Sequence, residues 1–237
     1  MKTISFLSGL PRTGSTLLSA ILSQNTNIHA EGNSAVCQLM WDMQQSCVGP
    51  ANEKLIANHR QGTQEDMVKA IPMIYYKNVS ATHILDKCRS WTITENMEMI
   101  RRYITNNPKV IVMTRPIEEI VESFVRLRKE NKWDDPYESL LDPMSEPLMR
   151  SQFGVECARK SNKGEYLFIE YSDLIENPSK IIESIYSFME WEKFQHDFTN
   201  IINKHIEDDS VYGLIGMHDV RPTIAARQES FLINTTA

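Results

Sequence analysis

The sequence lacks the features of a membrane or secreted protein. No apolar run among its 237 residues approaches the roughly 20 residues that a membrane-spanning helix needs, so we predict no membrane span. At the N-terminus, one lysine is followed by six residues, Thr3 to Ser8, and then by a glycine loop, which is too short for the apolar region of a signal peptide. We therefore expect a cytoplasmic protein.

Paired cysteines are also absent. The four cysteines are far apart and form no CxxC pair, so neither a metal site nor a disulfide framework is indicated, and free buried thiols are the better interpretation. His59, His83 and His196 likewise show no metal-ligand spacing, and we predict no metal. The cysteines are Cys37, Cys47, Cys88 and Cys157.

The sequence has no excess of positive charge. Its 25 lysines and arginines are outnumbered by 31 acidic residues, and the net charge of −6 argues against a nucleic-acid-binding protein. A small anionic ligand is not excluded, because a local group of arginines and lysines can lie within an acidic protein. The hydrophobic fraction of 41% is ordinary for a soluble globular protein.

The length and the order of predicted elements indicate one α/β domain over residues 1–237. Apolar runs predict strands, and amphipathic segments after them predict helices, which gives an α/β fold of three layers with a central parallel sheet flanked by helices. We predict a loop over Asn25–Ser34 and a loop or insertion over Asp134–Pro147. The predicted strands are near Ile4–Leu7, near 82–87, at Lys109–Thr114 and at Tyr166–Glu170, and helices are predicted at 148–160 and 178–189.

The last stretch, about residues 208–237, is predicted to be a lid or a loosely held tail. His205, His218 and Arg221 lie in this terminal region and would either close over a bound substrate or belong to a surface tail.

A phosphate-binding loop is predicted between the first strand and the first helix. Residues 9–16, GLPRTGST, have the G-x-x-x-x-G spacing in which backbone N–H groups and a helix N-terminus converge on an oxyanion. The lysine that ATP-binding loops carry is replaced by Ser15, and the nearest cation is Arg12. We infer an oxyanion other than the terminal phosphates of ATP; the alternative is a β-α turn without a ligand.

A second anion-binding element is predicted after the strand at Lys109–Thr114. Arg115 follows this strand directly, and Ser123 lies eight residues further on in the next helix, so both could reach one phosphate. The alternative is a structural arginine paired with Glu118 or Glu119 and a serine that faces solvent.

Together these elements resemble the sulfotransferase superfamily, and this resemblance implies a P-loop NTPase-like fold. PRTGST after an opening strand, followed about a hundred residues later by a strand–Arg–x₇–Ser element, is similar to the tyrosylprotein sulfotransferases and to bacterial proteins that open with GLPRSGSTLL. The resemblance implies transfer of a sulfuryl group from 3′-phosphoadenosine 5′-phosphosulfate (PAPS), without a metal, to a small-molecule, glycan or peptide acceptor. It assigns Arg12, Thr13, Gly14, Ser15 and Thr16 to the 5′ end of the donor, Arg115 and Ser123 to its 3′-phosphate, Tyr171 to the adenine, and Lys87 to the reacting centre.

The catalytic base is less clearly indicated. Tyrosylprotein sulfotransferases carry a glutamate in the loop after the first helix, and the matching position here is Asn33. Glu31 and His29 are nearby candidates, and we favour Glu31; each could instead be a solvated loop residue. Arg12, Lys87 and the loop amides would stabilise charge during transfer.

Two other functions are compatible with a phosphate-binding loop. A P-loop kinase would bind ATP with Mg²⁺, but the missing lysine argues against it. A non-catalytic nucleotide-binding module would bind the donor without transfer. Neither the acceptor nor the oligomeric state follows from the sequence.

Overall fold

The fold is built on one parallel β-sheet. A computed structural model of the protein describes residues 2–46, 48–133, 137–142, 144–145, 147–161 and 164–224. These residues form a five-stranded sheet of order β2-β3-β1-β4-β5, in which every pair of neighbours is parallel, as predicted. The strands are β1 (Thr3–Gly9), β2 (Ile28–Asn33), β3 (His83–Lys87), β4 (Val110–Thr114) and β5 (Tyr166–Glu170).

Helices connect the strands on both sides of the sheet. The helices at 148–160 and 178–189 and the strand at 166–170 have the predicted bounds. Within the described residues, no helix is both long and apolar enough to cross a membrane. The helices are α1 (Ser15–Leu22), α2 (Val36–Ser46), α3 (Pro50–Ala57), α4 (Thr63–Tyr75), α5 (Thr94–Tyr103), α6 (Ile117–Glu130), α7 (Leu148–Lys160), α8 (Tyr171–Glu176) and α9 (Pro178–Met189), with 3₁₀ turns at Arg89–Thr92, Tyr137–Leu141 and Asp209–Tyr212.

Two hydrophobic cores cover the two faces of the sheet, so the predicted three-layer arrangement is confirmed. Successive strand residues point to opposite faces, and neighbouring residues such as Phe6 and Leu7 accordingly belong to different cores. One core includes Ile84, Val110 and Val112 together with residues of α2, α5, α6 and α7; the other includes Leu85, Ile111 and Met113 together with residues of α1, α8 and α9.

The predicted loop at Asn25–Ser34 is wrong, because Ile28–Asn33 form strand β2. Its sequence, IHAEGN, has little of the β-branched and aromatic character that marks a strand. It lies at the edge of the sheet, where backbone pairing with β3 and the burial of Ile28 and Ala30 hold it in place. His29, Glu31 and Asn33 alternate with these buried residues and are only half-buried.

The other predicted irregular regions are described in part. Residues 137–141 of the predicted insertion form a 3₁₀ turn, and positions 134–136, 143 and 146 lie outside the described residues. Of the predicted lid or tail, residues 208–224 are described and 225–237 are not. Cys37 is a buried free thiol, and Cys88 and Cys157 are free and half-buried; Cys47 lies outside the described residues.

Candidate active site

The loop between β1 and α1 is shaped by two glycines. Gly9 has φ of 124°, and a Cβ at this position would lie 2.1 Å from the carbonyl oxygen of Met113 on the neighbouring strand. Gly14 has φ of 76°, and its Cβ would lie 2.7 Å from the ring of Tyr171. Gly14 is the N-cap residue of α1, and glycine has no side chain that could accept a hydrogen bond. The N–H groups of the first helical turn are therefore not occupied by an N-cap side chain.

Within this loop, Thr13 and Arg12 have different surroundings. Thr13 is completely buried, and its hydroxyl donates a hydrogen bond of 2.8 Å to the carbonyl of Leu10, so its side chain braces the loop. Arg12 points across to α6, where its Nε donates to the hydroxyl of Ser123 at 3.1 Å. Its Nη1 donates to the carbonyl of Met217, in the C-terminal part of the chain.

Arg115 lies beside the same loop. Its Nη1 donates to the carbonyl of Arg12 at 3.0 Å, and its guanidinium carbon lies 4.6 Å from the centre of the Tyr171 ring. Its Nε donates to Glu119 at 2.9 Å, which is the ion pair that the structural alternative expected. The Ser123 hydroxyl, however, accepts a hydrogen bond from Arg12, so Ser123 is not the solvent-facing serine of that alternative.

The two guanidinium groups create a positively charged region. Burial and the nearby charge of Arg115 lower the pKa of Arg12 below its ordinary value. Nη2 of Arg115 lies within ion-pair distance of Glu119, yet it is buried and makes no hydrogen bond to any described residue. Buried donors usually have an acceptor. A bound anion would supply the missing acceptor.

Lys87 lies at the carboxyl end of β3, next to the first turn of α1. Its Nζ is 3.3 Å from the hydroxyl of Thr16 and 3.4 Å from Oε2 of Glu207. Burial lowers the pKa of this lysine, and the charge of Glu207 opposes the effect. The lysine therefore links the first turn of α1 to the side-chain carboxylate of Glu207, in the C-terminal part of the chain.

Glu207 was not singled out in the sequence, but it lies at the centre of this site. Its Oε1 accepts hydrogen bonds from the backbone N–H and the side-chain amide of Asn33, at 3.1 and 3.2 Å. A Cβ on Gly32 would lie 2.2 Å from the carboxyl carbon of Glu207, so a larger residue at position 32 would displace the Glu207 side chain. Burial alone would raise the pKa of Glu207, but Lys87, His218 and the donors of Asn33 outweigh it, and the pKa lies below its ordinary value.

His218 continues the same cluster. Its Nδ1 lies 2.5 Å from Oδ1 of Asp209, and its backbone N–H donates to the other oxygen of that carboxylate at 3.0 Å. Its Nε2 faces Oε2 of Glu207 at 3.5 Å. Only 8% of the His218 side chain is exposed, so residue 218 is not part of a surface tail.

The two base candidates from the sequence lie on β2. Nε2 of His29 is 3.0 Å from Oε2 of Glu31, and the His29 ring packs at 4.8 Å from the ring of His205. Burial and the proximity of His29 lower the pKa of His205. Among the described residues, His29, Glu31 and His205 are the one group of three whose atoms are spaced closely enough to hold a metal ion, within 4.8 Å of one another. Spacing along the chain could not reveal this group, because His205 is far from the other two in sequence.

The structure thus brings most of the predicted site residues to one edge of the sheet, where the strands end. Arg12 with Ser123 and Arg115 with Tyr171 form one group, and Lys87 with Thr16 forms a second. Glu31 and His29 lie on the neighbouring strand and pair with each other. Sequence reasoning missed Glu207 and Asp209 because no motif marks them; they are recognised only by their contacts.

Comparison with known proteins identifies related chains. A family model described as "Sulfotransferase family" matches residues 5–196, which is most of the chain. A search of curated proteins gave no significant match. Glu207, Asp209 and His218 lie beyond the end of the matched region.

Three solved sulfotransferase structures have a similar fold. A sulfotransferase domain from the curacin biosynthetic pathway is 18% identical with a TM-score of 0.55, over 82% of this chain and 76% of that one. The sulfotransferase domain of the Synechococcus PCC 7002 olefin synthase is 22% identical with a TM-score of 0.55 and the same coverage. A sulfotransferase from Alicyclobacillus acidocaldarius is 14% identical with a TM-score of 0.56, over 90% of this chain and 89% of that one. At these identities the likeness is one of fold.

Proposed function

Since the chain belongs to the sulfotransferase family, we propose that it transfers a sulfuryl group from PAPS to an acceptor hydroxyl or amine and releases 3′,5′-ADP. One observation carries the choice of donor: Arg12 and Arg115, from two different strand ends, lie together with Ser123 in one positively charged region. PAPS carries phosphate at both its 3′ and 5′ positions, and it therefore needs two anion-binding elements side by side.

In this proposal the loop after β1 holds the 5′ end of the donor. The N–H groups at the start of α1 and the hydroxyls of Ser15 and Thr16 bind the phosphosulfate oxygens, and Arg12 adds a positive charge. Thr13 contributes its backbone N–H, because its hydroxyl is occupied by Leu10. The role of Gly14 is to let the loop pass close to Tyr171.

The 3′-phosphate is assigned to Arg115 and Ser123. The spare Nη2 donor of Arg115 would bond a phosphate oxygen, and the Ser123 hydroxyl would donate to another. The ring of Tyr171 packs against both Gly14 and Arg115, which is a suitable position for stacking against the adenine.

Lys87 is assigned to the reacting centre. When bound, the donor supplies an activated sulfuryl group whose bond to the 5′-phosphate oxygen breaks during transfer. Lys87, held beside Thr16, would stabilise the negative charge that develops on that oxygen. Arg12 and the loop amides would share this task, and we propose that no metal is needed for it.

Binding measurements with a matched pair of variants test the donor site. The wild type should bind 3′,5′-ADP more tightly than 5′-AMP in a calorimetric titration, and Arg115→Ala should lose this preference. Arg102→Ala is the control, because Arg102 is a half-exposed arginine paired with Glu65 on the surface. Equal affinity of the wild type for the two nucleotides would contradict the assignment of the 3′-phosphate.

A further inference from the structure

The C-terminal segment, residues 197–224, follows the part of the chain that matches the family model and packs back onto the candidate site. Backbone hydrogen bonds between Ile201 and Pro222 and between Ile224 and Phe198 close it into a loop. From this loop, the side-chain carboxylate of Glu207 contacts Lys87 and Asn33, and the backbone carbonyl of Met217 accepts a hydrogen bond from Arg12. The segment therefore delivers its own side chains to the reacting centre.

Asp209 and His218 form an acid–histidine pair within this segment. The Asp209 carboxylate accepts from both the ring Nδ1 and the backbone N–H of His218, which fixes the orientation of the imidazole. We assign the proton between them to Nδ1, because an imidazole nitrogen can donate to a carboxylate oxygen. Nε2 is then directed at the space beside Lys87.

Oε2 of Glu207 occupies that space. This single oxygen lies 3.4 Å from Nζ of Lys87 and 3.5 Å from Nε2 of His218. It marks a position that an acceptor oxygen can take between the lysine at the reacting centre and an imidazole nitrogen. The sulfuryl group of a donor bound at Lys87 is negatively charged and would repel the Glu207 carboxylate. The position that Oε2 now occupies would then be available to the acceptor oxygen.

The other groups near the site are less suited to accept a proton. Three donors hold the Glu207 carboxylate, two from Asn33 and one from Lys87, and its pKa lies below its ordinary value, which makes it a weak base. Glu31 and His29 pair with each other, and in the described part of the chain neither makes a hydrogen bond or ion pair with Lys87 or with Glu207, the residue through which His218 reaches Lys87.

We propose that His218 is the catalytic base of the transfer and that Asp209 is its positioning residue. The acceptor hydroxyl gives its proton to Nε2 of His218 as its oxygen forms a bond to the sulfur. The bond from sulfur to the bridging oxygen breaks, and 3′,5′-ADP leaves with that electron pair. This assignment rests on the proposed function, and it replaces Glu31 and His29 as candidates for the base.

The charged groups around His218 come from several parts of the fold. Asp209 and Glu207 face the imidazole from the C-terminal segment. Lys87, on β3, acts on it through Glu207, and Arg12, in the loop after β1, acts on it through Asp209. The pH profile of transfer therefore has to be measured for variants of His218 and for variants of these neighbours, so that the titrating group can be assigned.

The experiment measures release of 3′,5′-ADP from PAPS, with water as the acceptor and with a panel of phenols and alcohols, beside calorimetric binding of 3′,5′-ADP. His218→Gln should lower turnover by about 10²–10⁴-fold, the range of general-base catalysis, with less than about a threefold change in Kd. His218→Ala should regain part of its turnover when imidazole is added, which a merely structural role would not produce. Asp209→Asn should lower turnover by about 10-fold or more, since it loses the orienting carboxylate.

Matched controls separate the outcomes. His83→Gln removes a histidine at the other end of β3 and should leave turnover unchanged. If Glu207→Gln or Glu31→Gln abolishes turnover while His218→Gln retains it, the base is that glutamate and the proposal is overturned. A wild type that binds 3′,5′-ADP but releases none from PAPS would also overturn a base at this position. Failure to bind 3′,5′-ADP at all would instead contradict the proposed donor site.

Discussion

Gly14 shows how a single residue shapes the predicted phosphate loop. Its φ of 76° lies in the left-handed region, and the missing Cβ leaves room for the Tyr171 ring. Because Gly14 is the N-cap residue of α1, the N–H groups at the start of this helix have no side-chain cap. The conformation of the loop and the position of the proposed adenine-stacking ring therefore depend on one glycine.

Gly14→Ala should weaken binding of 3′,5′-ADP at least tenfold. The added methyl group strains the backbone by about 1–2 kcal/mol and also pushes against Tyr171. Calorimetric titration measures the effect. Gly62→Ala is the control, because a Cβ there meets no atom within 4 Å and its φ is negative, so binding should not change. Unchanged binding by Gly14→Ala would show that the loop tolerates a different shape.

The lowered pKa of Lys87 predicts a pH dependence of transfer. Burial favours the neutral amine, so the lysine loses its positive charge at a pH below its ordinary pKa of 10.5. We expect turnover at saturating PAPS to fall on the alkaline side as this charge is lost. In Lys87→Arg, the charge persists across the same range, and the alkaline fall should disappear. An identical alkaline limb in both proteins would assign the fall to another group.

Among the elements, β3 and the 3₁₀ turn after it are held by one buried acid. Asp86 is completely buried and accepts hydrogen bonds from Ser34, Tyr76 and Trp91, at 2.8, 2.7 and 2.7 Å. The three donors come from different parts of the chain around the end of β3. Asp86 therefore fixes the position of its neighbour Lys87.

Asp86→Ala should lower the free energy of unfolding by roughly 3–5 kcal/mol, because three buried donors lose their acceptor. Denaturant unfolding followed by circular dichroism measures this loss. Asp66→Ala is the matched control at an exposed acidic residue of α4, and its stability should change little. A loss similar to that of the control would mean that water replaces the carboxylate at little cost.

The elements also show what the sequence could and could not predict. Strand β4 is apolar and rich in β-branched residues over its whole length, and it was recognised from composition alone. Strand β2 contains His, Glu, Gly and Asn, and its strand form comes from pairing with β3, a contact distant in sequence. For the same reason, the phosphate loop was predicted from its local motif, whereas Glu207 and Asp209 were not.

At the scale of the whole molecule, the C-terminal segment completes a site that begins at residue 9. The ends of β1, β3 and β4 provide the loop, Lys87 and Arg115, and the segment adds Glu207, Asp209 and His218 to them. The predicted lid or tail therefore includes residues that belong to the candidate site. Its attachment depends on contacts with Lys87, Asn33 and Arg12.

Glu207→Ala should loosen this attachment without unfolding the sheet. The variant loses the ion pair with Lys87 and both hydrogen bonds from Asn33. Backbone amides of residues 205–218 should then exchange with deuterium at least tenfold faster, while those of β4 keep their protection. Unchanged exchange in residues 205–218 would show that other contacts hold the segment.

The central claim, that the chain uses PAPS as its sulfuryl donor, is tested most directly by titrating the wild type with 3′,5′-ADP and with ATP–Mg²⁺. The proposed function predicts clear preference for 3′,5′-ADP, without any need for Mg²⁺, because it assigns Arg115 and Ser123 to a 3′-phosphate and Ser15 replaces the lysine of ATP-binding loops. Preference for ATP–Mg²⁺, with no gain from a 3′-phosphate, would contradict the proposal and favour a kinase.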